Sequence, residues 1–189
     1  MSPDASARGS RSGRRNDPER RERIISAALD VIAEAGVAGA SHRRIADHAG
    51  VPLGSMTYYF AGIDEVLREA FTRFAVEQST RFEERMSAAS DRRSAQDAVV
   101  ALIADEVMHD QRELVLSHEL YTLAAREPVY RALTADWMRR SRAALERHFD
   151  PETARILDAL IEGLTIHRAL DDQPRDRAEV QLAVARIVS

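Results

Sequence analysis

No cysteine occurs in the chain, which excludes disulfides, thiolate-ligated zinc and cysteine nucleophiles together. Lysine is absent as well, so all 27 basic residues are arginine. Aromatics amount to only 5% of residues, with a single tryptophan. The longest apolar run, Ala98 to Ala104, is far short of the ~20 residues that span a bilayer. The opening stretch MSPDASARGSRSGRRNDPERR lacks the apolar segment of a secretory signal. Neither a GxSxG turn, a phosphate-binding glycine loop nor an HExxH pair is present, and the carboxylates fall on faces of solvent type. A membrane protein and an enzyme are therefore not expected; a cytoplasmic protein without cofactor or metal is.

What is present is a helix former. Hydrophobic residues make up 44% of the 189 positions, enough to bury a sizeable core. The net charge of −4 is unevenly spread: residues 1–60 carry nine Arg against seven acids, and residues 61–189 carry eighteen against twenty-four. The basic excess at one end points to a polyanionic partner there. Residues 1–16 are rich in Ser, Gly and Arg and read as a solvated arm, whose Arg8, Arg11, Arg14 and Arg15 can reach phosphates or a minor groove when DNA is present.

From Asp17-Pro18-Glu19, a cap followed by proline at the first helical position, apolar residues recur at helical spacing through Ala35, and Gly36 ends the helix. Ser41 caps a second helix. A third starts near Pro52 and ends at Tyr59, and a fourth runs from Gly62 to about Met86. Beyond Ser94 the pattern is helical throughout, over 94–109, 111–126, 128–149, 151–170 and 175–188, with no alternating strand. The sequence thus predicts an all-α fold. The domains it suggests are the arm 1–16, a helix-turn-helix unit 17–62 and a larger helical domain 63–189.

The stretch 41–60, SHRRIADHAGVPLGSMTYYF, holds the most specific pattern. Ile45, Ala46, Val51, Met56 and Phe60 are spaced to close two short helices on one small core, and Gly50 suits the positive φ of the turn between them. Ser41, His42, Arg43, Arg44, Leu53, Ser55, Thr57, Tyr58 and Tyr59 are left facing outward, a surface of cations, hydroxyls and aromatics.

With the stretch RIISAALDVIAEAGVAGAS before it and DEVLREAF after it, this pattern resembles the TetR family of transcriptional regulators over about residues 18–75. The resemblance implies a helix-turn-helix DNA-binding domain joined to a helical ligand-binding and dimerisation domain. Carried over by position, Ser41, Arg43 and Arg44 would approach phosphates from the second helix. Leu53, Gly54, Ser55, Thr57 and Tyr58 would face the major groove, and Tyr59 would reach the backbone. Three positions depart from the family pattern: Pro52 replaces a capping Ser, Thr57 a Tyr, and Ile63 a phosphate-binding Lys.

The resemblance also implies a homodimer reading a palindromic double-stranded operator, paired through the last two helices. Leu157, Leu160, Gly163, Leu164, Val180, Val184 and Ile187 are the candidate interface. For an unknown small-molecule effector, the candidates are the polar and aromatic residues on otherwise apolar faces: Glu106, His109, His118, Tyr121, Trp137, Ser141 and His167. Asp105 with His109 and His167 with Asp171 each lack a third metal ligand and read as solvated pairs. The expectation is a ligand-responsive repressor; the other reading is a DNA-binding adaptor or architectural protein without an effector, which would need no cavity.

Overall fold

The computed structural model describes residues 18–106, 111–173 and 176–189. Among them the chain is helical with no strand, in nine α-helices: α1 Pro18–Ala35, α2 His42–His48, α3 Gly54–Tyr59, α4 Ile63–Ala88, α5 Arg92–Ala101, α6 Gln111–Arg126, α7 Pro128–Leu145, α8 Pro151–Leu170 and α9 Arg177–Val188. A 3-10 turn over Val37–Gly39 follows α1, and a π-helical turn over Leu102–Glu106 follows α5.

Local chemistry accounts for most boundaries. The Ser41 hydroxyl accepts the N–H of Arg44 at 3.3 Å, and the Asp150 carboxylate accepts those of Glu152 and Thr153 at 3.1 and 3.0 Å, so each side chain satisfies donors the helix leaves orphaned. Asp91 and Ser94 cap α5 reciprocally. Gly36 and Gly50 adopt φ of 67° and 63°, where a Cβ would be strained. The third helix begins at Gly54 rather than near Pro52, because Pro52, Val51 and Leu53 form the turn whose carbonyls receive Ser55 and Met56. The helical pattern over 128–149 extends past the helix itself: α7 stops at Leu145 and a turn brings Phe149 back into the core. Likewise the pattern over 94–109 resolves into α5 and the π turn as far as residue 106, and its last three residues lie outside the described ones.

Two apolar cores result. The first joins α1, α2, α3 and the first half of α4 to Leu116, Leu120 and Ala124 of α6 and Tyr130 of α7. The second gathers Met86 with α5, the end of α7, α8 and α9. The long helices α4 and α7 run through both. Between the cores, α4 carries the fully buried Ser79, whose hydroxyl donates back to the carbonyls of Ala75 (2.8 Å) and Val76 (3.1 Å), a bond that tends to bend helices. Arg140 of α7 clamps α4 at the same level, with two 2.7 Å bonds to Glu83 and one of 3.1 Å to Thr80. That hydrogen bonding holds the Glu83 carboxyl below its ordinary value.

Candidate DNA-reading head and effector cavity

The first three helices and the start of α4 close around Ile24, Ala28, Ile32, Ile45, Met56 and Phe60, all buried. Burying this stripe leaves Arg43, Arg44, Leu53, Gly54, Thr57 and Tyr58 exposed on one side. Tyr58 is 60% and Leu53 47% exposed, and the Tyr58 ring meets Tyr59 edge-on at 4.8 Å. Thr57 turns its hydroxyl hydrogen onto the carbonyl of Gly54 at 3.3 Å, so its methyl group and an oxygen lone pair remain for a partner. Arg44 stands 3.5 Å from Glu34, whereas Arg43 makes no ion pair among the described residues.

Ser55 does not face outward as expected. It is only 8% exposed. Its position is about 100° around the helix from the buried Met56, which puts it at the edge of the inner face, and its short side chain does not clear that edge. Ile63, standing where the family pattern has a cation, packs partly buried against the head's core. Glu65 is equally committed, its carboxylate accepting the N–H of Ala61 at 2.6 Å and so completing the start of α4.

Where the two cores meet, α4, α6, α7 and α8 enclose a cavity of about 330 Å³. This lies within the usual size of small-molecule sites. Four of the residues expected to form an effector site, His118, Tyr121, Trp137 and Ser141, line it together. Trp137 and Tyr121 lie nearly parallel, 6.2 Å between centroids at 16°, and Trp137 is braced edge-on by Phe74 at 5.8 Å. His118 is fixed by a 2.7 Å bond from Nδ1 to the carbonyl of Leu114. His167 does not join them: it is exposed on another face of α8 and is not among the lining residues, because Thr165 and Ile166 occupy the inward turn. The Glu106 side chain and His109 lie outside the described residues.

Periodicity missed the charged part of the wall. Glu113, Asp158 and Glu162 line it beside Arg81 and Arg85. Glu113 is paired with Arg81, and Asp158 lies 3.8 Å from Arg142. Burial pushes the Asp158 carboxyl up to about 6, against the opposing pull of Arg142 and with a further push from Glu162. Burial raises the pKa of the Tyr121 phenol, and the Glu162 carboxylate beside it adds to that shift. The hydroxyl of Thr165 is buried with no partner. One signal was available in the sequence: Asp158, Glu162 and Thr165 interrupt the apolar surface of α8 along a single stripe.

The expected subunit interface divides. Leu157, Val180 and Val184 are wholly buried in the second core, facing α5 and α7, so these three serve the protomer rather than a partner. Leu160, Leu164 and Ile187 are only partly covered, and a Cβ on Gly163 would meet nothing. Ile156, Leu170 and Leu182 add exposed apolar surface. Among the described residues, no helix is long and apolar enough to cross a membrane.

A tri-helical head with a polar outer face, carried on a helical body, is the architecture of a helix-turn-helix transcriptional regulator. Family comparisons agree. Residues 24–70 match the model of bacterial regulatory proteins of the tetR family, and residues 90–189 match that of the tetracyclin repressor-like C-terminal domain. The chain belongs to the TetR family of DNA-binding transcriptional regulators. It is 31% identical to the HTH-type transcriptional regulator BetI of Burkholderia cenocepacia over 175 residues, covering 87% of this chain and 90% of that one. A transcriptional regulator of Streptomyces coelicolor A3(2), SCO7518, is 60% identical over 91% of this chain and 99% of its own, with a TM-score of 0.84. The multidrug binding protein EbrR, solved with ethidium, is 36% identical over 92% of this chain and all of its own, with a TM-score of 0.77; it has also been solved with proflavin.

Proposed function

We propose that the protein is a ligand-responsive repressor that binds a palindromic operator as a homodimer and releases it when a flat aromatic effector fills the cavity. The observation that carries this reading is the position of the cavity between the two cores. Its wall residue Trp137 packs on Phe74 of α4, and α4 leads directly into the reading head. A ring stacking on Trp137 and Tyr121 would press on that contact, and any preference for one arrangement of the two halves becomes a change in the spacing of two heads. An adaptor without an effector has no need of such a cavity. The aromatic ligands named for EbrR support the same class of effector here.

The proposed organisation is an arm over 1–16, a DNA-reading domain over 17–62 and an effector and dimerisation domain over 63–189, acting on the nucleoid in the cytoplasm. Ser41, Arg43, Arg44, Leu53, Gly54, Thr57, Tyr58 and Tyr59 would meet DNA. Leu160, Gly163, Leu164 and Ile187, with the exposed Ile156, Leu170 and Leu182, would pair the subunits. Trp137 is the only tryptophan, so its fluorescence reports the cavity directly. Titration with proflavin in the absence of DNA should quench it saturably at one site per protomer. An unaltered emission at high micromolar dye would count against the effector site.

A further inference from the structure

Among the described residues three carboxylates line the cavity, and two already face an arginine: Glu113 faces Arg81 and Asp158 faces Arg142. Glu162 does not. It shares the wall with the neutral phenol of Tyr121, and among the described residues it forms no ion pair. One turn further along α8, at a spacing that puts side chains side by side, the Thr165 hydroxyl is sealed from water without a hydrogen bond. Such a group is costly to leave unmade. Both residues line the cavity, next to the Tyr121–Trp137 pair.

Resting on the effector-site reading above, we infer that Glu162 and Thr165 form the recognition corner of the cavity, and that the effector is a flat aromatic whose positively charged nitrogen carries N–H groups. The carboxylate of Glu162 balances the charge and accepts one N–H. The oxygen of Thr165 accepts a second. The aromatic body lies on Trp137 and Tyr121, where the ring faces also favour a cation. A quaternary nitrogen satisfies Glu162 only in part and leaves Thr165 unpaired. A neutral amide satisfies Thr165 but leaves the carboxylate without a counter-charge. An amidinium or a protonated amine on a two-ring aromatic satisfies both.

Three probes of one shape separate these terms: 2-naphthamidine (charged, with N–H), 2-naphthamide (neutral, with N–H) and 2-naphthyltrimethylammonium (charged, without N–H). Binding to the full chain is followed by calorimetry and by Trp137 fluorescence. The amidine is expected to bind at least tenfold more tightly than either of the others. Glu162→Gln should erase most of that advantage while leaving the amide within about twofold, and Glu162→Asp should restore part of it. Thr165→Val should weaken the amidine about three- to tenfold and leave the quaternary probe unchanged, in line with one hydrogen bond. Removing an unpaired buried hydroxyl should also raise the melting temperature of the ligand-free protein by about 2–4 °C, a readout independent of any ligand. Equal binding of the three probes, or a Glu162→Gln variant that keeps the preference, overturns the inference. If proflavin still binds in the cavity in that case, the effector-site reading stands; if neither proflavin nor any probe binds, both fall.

Discussion

Arg112, in the first turn of α6, donates from Nε (3.1 Å) and Nη2 (2.8 Å) to one carboxylate oxygen of Asp30 on α1. The other oxygen of Asp30 stands 3.6 Å from Nε2 of His48, at the end of α2. The residue following Arg112 is Glu113, which pairs with Arg81 in the cavity wall. Two consecutive residues of α6 therefore hold two different parts of the molecule, one the reading head and one the cavity wall. Both groups of the Arg112–Asp30 pair are more than a third exposed, so its direct contribution to stability is small, about 0–1 kcal/mol. Its effect should appear in coupling instead. Asp30→Asn is expected to leave ligand-free operator affinity within about threefold, while cutting the loss of affinity caused by 2-naphthamidine about three- to tenfold, on the scale of ordinary allosteric coupling. Operator binding measured with and without the ligand checks this; an unchanged ratio would place the coupling elsewhere.

The two arginines of α2 should not behave alike. Arg44 has Glu34 at 3.5 Å, so moving it onto a phosphate sacrifices an existing contact, whereas the exposed Arg43 has no ion pair among the described residues to give up. Arg43→Ala is expected to weaken operator binding about tenfold and to reduce the slope of log K against log salt by about 0.9, as for one lost phosphate contact. Arg44→Ala should do less on both counts. Anisotropy titrations across a salt series distinguish them.

Asp158 gives stability a pH signature. Its folded value is about 6 against an ordinary 3.8, so between those values the folded state keeps a proton that the unfolded chain has released. Stability from this group therefore falls as pH rises through about 4 to 6 and is fully lost above that window. The groups around it are Arg142 of α7, which opposes the shift, and Glu162 of the same helix, which adds to it. Asp158→Asn removes the titration. Relative to the parent, the variant should gain up to about 2–3 kcal/mol between pH 4 and pH 7. Urea unfolding at several pH values measures this, and parallel curves for the two proteins would refute it.

How much of this the chain declares in advance depends on the range of the interaction. Ser41, Gly36 and Gly50 were readable because a cap or a left-handed turn is set by a few adjacent residues. The core of the head was readable because Ile45, Val51, Met56 and Phe60 converge within one short motif. His118, Tyr121, Trp137 and Ser141 stood out as polar or aromatic breaks on apolar faces. Asp158 and Glu162 share a stripe with Thr165, but carboxylates on a helix resemble a solvated face until α6 and α7 close over them. The same limit misassigned Leu157, Val180 and Val184: helical period shows that a position is apolar, but not whether its neighbour belongs to the same subunit. The π turn after α5 left no trace in the apolar pattern.

The most direct measurement is a selection of bound duplexes from a random DNA pool by the full chain, with the recovered sequence then titrated in the presence of 2-naphthamidine. The expected result is an inverted repeat whose half-sites lie about one helical turn or a multiple apart, bound by two protomers and released as Trp137 fluorescence reports the cavity filling. Recovery of no palindrome, or an operator that stays bound while the cavity is saturated, would contradict the account.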